Sequence, residues 1–125
     1  MVVASHWSNQ LQCRREDRDG AVCVILSGEL DLASIAALQV QFKALAQRDD
    51  DIIVDMGGLR YIDSSGAKAL LDANRLFGRS RRRLVMANVQ PLARRIIDVM
   101  GLEQAIPIFS TVDAALEHLR STKES

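Results

Sequence analysis

Ile52-Ile53-Val54, bounded by Asp51 and Asp55, leads into Gly58-Leu59-Arg60-Tyr61-Ile62-Asp63-Ser64-Ser65-Gly66, after which the pattern turns helical near Ala67. The first run is short and β-branched, which predicts a buried strand, and the residues after Gly66 fall at helical spacing. Gly58 to Gly66 is therefore read as a strand-to-helix junction, the mark of an α/β chain. Asp63, Ser64 and Ser65 compete there for the N-cap, since a short side-chain oxygen accepts one of the helix's unpaired N–H groups. A cap needs one such residue, and three stand in a row before a glycine. A helix N-terminus also favours anions, so a serine hydroxyl at this place is suited to carry a phosphoryl group. Spacing alone leaves both readings open, a cap or a phosphate-related site.

Upstream of the junction, Leu11 to Arg15, the turn residues Asp17-Arg18-Asp19-Gly20 and Ala21 to Ser27 predict a hairpin. Its second strand is apolar on both faces, with Val22, Val24 and Leu26 on one and Ala21, Cys23 and Ile25 on the other, so it is expected to be central and to end at Gly28. Gly28-Glu29-Leu30-Asp31 is read as a turn, with Asp31 or Ser34 capping a helix whose inward stripe is Ile35, Leu38, Phe42 and Leu45. Two carboxylates in one turn are the raw material of acid–base catalysis. Here no histidine, cysteine or third acid joins them at ligand spacing, which favours ordinary loop carboxylates. Asp49-Asp50-Asp51 lacks the alternating ligands and glycine of a calcium loop and is expected to be a solvated connector.

Downstream, a helix is predicted from about Ser64 to Phe77, with Ala67, Leu70, Leu71, Asn74 and Phe77 inward and Lys68 pairing Asp72 outward. Gly78-Arg79-Ser80-Arg81-Arg82-Arg83 ends it with cations at the negative end of the helix dipole. The same cluster has the charge to meet an acidic partner, although no aromatic residues interleave it. Leu84-Val85-Met86 is a further strand. Pro91 then opens a helix with Leu92, Ile96 and Val99 inward and Gly101 as its cap. Ala105 to Phe109, interrupted by Pro107, predicts an edge strand. Ser110-Thr111-Val112-Asp113 opens a last helix through Ala115, Leu116 and Leu119. The order ββαβαβαβα predicts a mixed sheet of about five strands with right-handed crossovers, packed against about four helices.

The 125 residues are expected to form one domain from 11 to 120, with an arm at 1–10 and a tail at 121–125. Sixteen basic residues balance sixteen acidic ones, which removes the global charge of a nucleic-acid binder. No apolar run approaches the ~20 residues of a membrane span, and Met1 to Gln10 lacks the pattern of a signal peptide, so a cytoplasmic protein is expected. Cys13 and Cys23 read as small apolar strand residues rather than a disulfide. His6 and His118 stand far apart without a nucleophile partner. With no phosphate-binding loop, dinucleotide fingerprint, metal cluster or nucleophile–histidine pair, the chain is expected to be neither an enzyme nor a holder of a cofactor or metal.

Asp55-Met56-Gly57-Gly58-Leu59-Arg60-Tyr61-Ile62-Asp63-Ser64-Ser65-Gly66 resembles the signature of the STAS domain, in its bacterial anti-sigma factor antagonist branch. Gly28-Glu29-Leu30-Asp31 resembles that family's second marker, and Val99-Met100-Gly101-Leu102 its later helix-ending segment, so the likeness spans roughly Leu11 to Leu119. The resemblance implies partner switching. The unmodified chain would bind an anti-sigma factor that is also a serine kinase and so free a sigma factor, phosphorylation on serine would end that binding, and a serine phosphatase would restore it. By motif position Ser64 would be the phosphoacceptor, with Asp31, Asp63, Ser65, Gly66 and Lys68 at the partner-binding face. Where many antagonists continue Gly-Leu-Gly, this chain has Gly66-Ala67-Lys68, which adds bulk and positive charge one turn into the helix and bears on phosphate holding and kinase choice. The resemblance also admits a constitutive adaptor or scaffold subunit of a stress-signalling or lipid-transport complex. Direct contact with nucleic acid or membrane is not expected.

Overall fold

The computed structural model describes residues 10–123; most of the expected arm, with His6, lies outside them. Strands β1 (Leu11–Arg18) and β2 (Ala21–Leu30) form the predicted hairpin, closed by Asp19-Gly20. Then follow α1 (Ile35–Leu45), β3 (Asp51–Ile62), α2 (Ser64–Gly78), β4 (Leu84–Ala87), α3 (Pro91–Met100), β5 (Ile108–Phe109) and α4 (Val112–Lys123). The sheet order is β1-β2-β3-β4-β5, antiparallel between β1 and β2 and parallel thereafter. Each parallel link carries one helix, as parallel pairing requires.

Two apolar layers form because the central strands are apolar on both faces. Val22, Val24, Leu26, Val54, Met56 and Met86 face α1, α2 and α3, which contribute Leu38, Phe42, Leu45, Leu70, Phe77 and Ile97. The rings of Phe42 and Phe77 meet edge to face at 5.7 Å. Ala21, Cys23, Ile53, Val85 and Ala87 face Ala115, Leu116 and Leu119 of α4. Cys13 packs into the first layer and Cys23 into the second, so the two thiols lie on opposite faces and both are free. Burial, followed by the charge of Asp55, pushes the Cys23 thiol up to about 11.

Several sequence expectations are corrected. β2 does not end at Gly28, and Gly28-Glu29-Leu30 is not a turn: β2 and β3 run on as a pair to Leu30↔Ile62, with irregularities at Ile25/Ser27 and Gly28/Glu29 that each take up one extra residue of β3, the first between Asp55 and Gly58 and the second at Arg60. Asp51 is not a solvated connector. It is 6% exposed, opens β3, and its Oδ2 lies 2.9 Å from Arg83 Nη2. The arginine cluster is divided: Arg82 is buried with its guanidinium 4.6 Å from the Phe77 ring centroid and Nε donating to the Asp50 carbonyl, Arg83 pairs with Asp51, and Arg79 and Arg81 are exposed. Burial lowers the Arg82 pKa, with the neighbouring aspartates opposing that shift. In α2, Ala69 and Ala73 are buried where Leu71 and Asn74 are only half-buried. At the C-terminus, α4 continues through Ser121 to Lys123, across the start of the expected tail.

The phase of α3 is corrected as well. Ala93 and Ile97 are buried, whereas Leu92 is 66% and Val99 81% exposed; Ile96 lies half-buried between the two stripes. Small Ala93 allows close approach to the sheet, and Leu102 and Ile106, both buried beyond the left-handed Gly101 cap, hold the helix in that rotation. Val99→Ser is accordingly expected to change unfolding free energy by less than about 0.5 kcal/mol. Ile97→Ala should cost about 2 kcal/mol or more. Urea denaturation of the two variants checks the phase, and the reverse ranking would overturn it.

Candidate functional site at the start of α2

Asp63 is the N-cap of α2. Its backbone is extended, and its Oδ1 accepts the Gly66 N–H at 2.9 Å. One residue therefore takes the capping role for which three were candidates. Ser64, the first helical residue, is exposed, and Ser65 is half-buried. Neither hydroxyl hydrogen-bonds a described residue. At the first two helical positions the backbone N–H groups also lack an intrahelical acceptor, which leaves a site of positive partial charge around Ser64.

The end of β2 builds the second wall. Asp63 N donates to the Leu30 carbonyl at 3.2 Å, so the segment carrying Asp31 abuts the one carrying Ser64. Gly66 makes that contact possible: a Cβ there would lie 2.7 Å from the Leu30 oxygen and 2.8 Å from Leu30 Cγ. Asp31 does not cap α1 directly. Its Oδ1 accepts from Ala33 N at 3.0 Å and Ser34 N at 3.1 Å, closing the turn ahead of the helix. Buried Ser34 takes the N-cap position, where its hydroxyl accepts from Asp31 N and donates to the Glu29 carbonyl at 2.8 Å. The turn between β2 and α1 is thus fixed by its own side chains.

Of the candidate residues, Asp31, Asp63, Ser64, Ser65 and Gly66 meet where the ends of β2 and β3 turn into α1 and α2. Lys68 stands apart. It is exposed, and its Nζ lies 3.3 Å from Asp72 Oδ2, drawn along α2 away from the N-terminus. Sequence reading missed two neighbours, Leu32 (71% exposed) and Tyr61 (49% exposed). The available signal was an apolar residue inside a polar turn and a tyrosine beside the buried Ile62. Among the described residues there is no group of three potential metal ligands and no helix long and apolar enough to cross a membrane.

Losing the Asp63 cap is expected to cost about 1 kcal/mol in Asp63→Ala, while Asp63→Asn, an equally good cap, should stay near wild type. Thermal unfolding reads the difference. Equal losses in the two variants would show that the carboxylate charge, not the hydrogen bond to Gly66, holds the helix start.

The STAS domain model matches residues 12–115. The anti-sigma F factor antagonist of Paenibacillus polymyxa is 30% identical over 111 residues, covering 87% of this chain and 95% of the relative. The anti-sigma-F factor antagonist RsfB of Mycobacterium tuberculosis is 30% identical over 105 residues, covering 83% and 85%. Among solved structures, an anti-sigma factor antagonist from Mycobacterium paratuberculosis superposes with a TM-score of 0.81 at 27% identity, covering 88% of this chain and 94% of that one. With the domain model matched over most of its length and a five-stranded mixed sheet packed against four helices, this chain belongs to the STAS domain family.

Proposed function

We propose that the chain is an anti-sigma factor antagonist that works by binding, and that Ser64 is its phosphorylated switch. The unmodified form binds an anti-sigma factor that is also a serine kinase, phosphorylation of Ser64 ends the binding, and a serine phosphatase resets it. The observation that carries this reading is the free, exposed Ser64 hydroxyl at the first position of α2, left unused because Asp63 alone caps the helix. The names of the relatives support the class of partner.

Asp31, Asp63, Ser65 and Gly66 surround Ser64 and form the partner-binding face with it; Lys68 contributes at its margin. A phosphoryl group on Ser64 adds about −1.5 to −2 charges beside the carboxylates of Asp31 and Asp63. The helix N-terminus tolerates that charge in the free chain, so the switch acts on the interface without unfolding the domain.

The test is intact-mass spectrometry of the labelled chain after incubation with source-cell lysate and ATP, with Ser64→Ala in parallel. Gain of one phosphoryl group by the wild type alone is the expected result. No gain, with a stable and ATP-insensitive complex captured, would replace the switch with a constitutive adaptor of the same fold.

A further inference from the structure

Leu32 and Tyr61 remain largely in water although their neighbours Leu30 and Ile62 are buried. Isolated exposed apolar residues are ordinary. These two differ in their placement and their support. Leu32 sits inside the turn pinned by Asp31 and Ser34, and Tyr61 pairs with Glu29 in the last rungs of β2 and β3, three residues before Ser64. The backbone hydrogen bond from Asp63 to Leu30 ties the two segments together. Large side chains held on rigid backbone have already lost much of the freedom that binding would otherwise remove. Among the charges nearby, Arg60 lies 4.0 Å from Glu29, Lys68 is paired with Asp72, and one carboxylate oxygen each of Asp31 and Asp63 accepts backbone N–H groups.

We infer, on the reading that Ser64 is the switch, that Leu32 and Tyr61 are the apolar anchors of the partner interface, and that the anti-sigma factor meets them with an apolar patch rather than with a charged cluster. Two consequences separate this from a contact made through Ser64 alone. Association depends weakly on salt, because apolar contact rather than an ion pair forms the centre of such an interface. The anchors also exclude water from Ser64, and that exclusion makes a phosphoryl group costly there; the amplitude of the switch therefore depends on them.

The experiment takes the ATP-binding anti-sigma factors of the source cells, purified one at a time, and measures binding by calorimetry at about 50 mM and about 500 mM NaCl. Leu32→Ala and Tyr61→Ala are each expected to weaken binding about tenfold or more, while Tyr61→Phe, which keeps the ring, stays near wild type. The ratio of affinities between Ser64→Ala and Ser64→Asp should shrink about tenfold in the Tyr61→Ala background, a coupling that independent sites would not show. Salt should change wild-type affinity by less than about threefold. Both positions are solvent-exposed, so far-UV dichroism and melting temperature are expected to hold and to exclude misfolding. Anchor variants that bind like wild type while Ser64→Asp fails would overturn the anchors and leave the switch standing. If no anti-sigma factor binds the wild-type chain, the switch reading falls and the anchors fall with it.

Discussion

Ser64→Asp is expected to bind the anti-sigma factor about 100-fold or more weakly than Ser64→Ala. In the free chain either residue sits at the exposed first position of α2. A carboxylate there is favoured by about 0.3–1 kcal/mol through the helix dipole. Stability should therefore be unchanged or slightly raised, and lost binding cannot be charged to unfolding. In the proposed complex the same group would be pressed against a partner and stripped of water, with Asp31 and Asp63 close by. An uncompensated buried charge costs about 3–5 kcal/mol, and each 1.4 kcal/mol is about a factor of ten in affinity. The loss thus runs from about two to more than three decades. Ser64→Ala removes only a hydroxyl that has no partner among the described residues, so it should bind like wild type and resist switching off. Since the main cost is desolvation rather than long-range repulsion, added salt should not restore Ser64→Asp. Equal affinities of the two variants by calorimetry would refute the electrostatic mechanism.

The parts of this site that were legible in the sequence are those set by local chemistry. Asp63 before a helical run is a cap because its side chain reaches the N–H three residues on, and the surplus serines followed from that count. Gly101 was legible for the same reason, as a left-handed helix end, whereas the capping box read at Ser110 with Asp113 lies one residue too early: the Thr111 hydroxyl accepts the Ala114 N–H. What was misread depends on distant partners. Gly57-Gly58 looked like the end of a strand, yet β3 continues because β2 lies alongside to receive it; a Cβ on Gly58 would stand 2.8 Å from Ser27 Cβ. Asp51 looked solvated because its cation, Arg83, is 32 residues away. For α3, two apolar stripes one residue apart fit the same period, and only the packing of Leu102 and Ile106 chooses between them. Leu32 and Tyr61 carried a local signal, an apolar residue in a polar turn and a tyrosine beside Ile62, but their exposure follows only from the pairing of β2 with β3 and the turn that leaves it.

Gly28→Ala should be the most damaging of the small substitutions, lowering stability by about 3 kcal/mol or more. Gly28 has φ +102°, a conformation that L side chains rarely adopt. Holding a non-glycine residue there costs about 1–3 kcal/mol. A Cβ would also lie 2.2 Å from the Gln10 carbonyl oxygen and 3.1 Å from its carbon, which are backbone atoms that cannot swing aside. That oxygen accepts the Glu29 N–H at 2.6 Å, so relieving the clash means giving up the bond that begins the β1–β2 pairing. Overpacking of this kind adds about 1–3 kcal/mol. The damage reaches the site by a short path: loosening Glu29 frees the acceptor of the Ser34 hydroxyl, the turn around Asp31 loses its clamp, and the wall beside Ser64 moves. Gly78→Ala is the control, because nothing lies within 4 Å of a Cβ there and its φ is not positive. It should be neutral, or stabilising by up to about 1 kcal/mol, through the lost freedom of the unfolded chain. Urea denaturation distinguishes the two, and a Gly28→Ala midpoint as high as that of Gly78→Ala would mean that the β2 irregularity does not need a glycine. If the coupling to the site is right, partner binding by Gly28→Ala should fall even at temperatures where the variant is still folded.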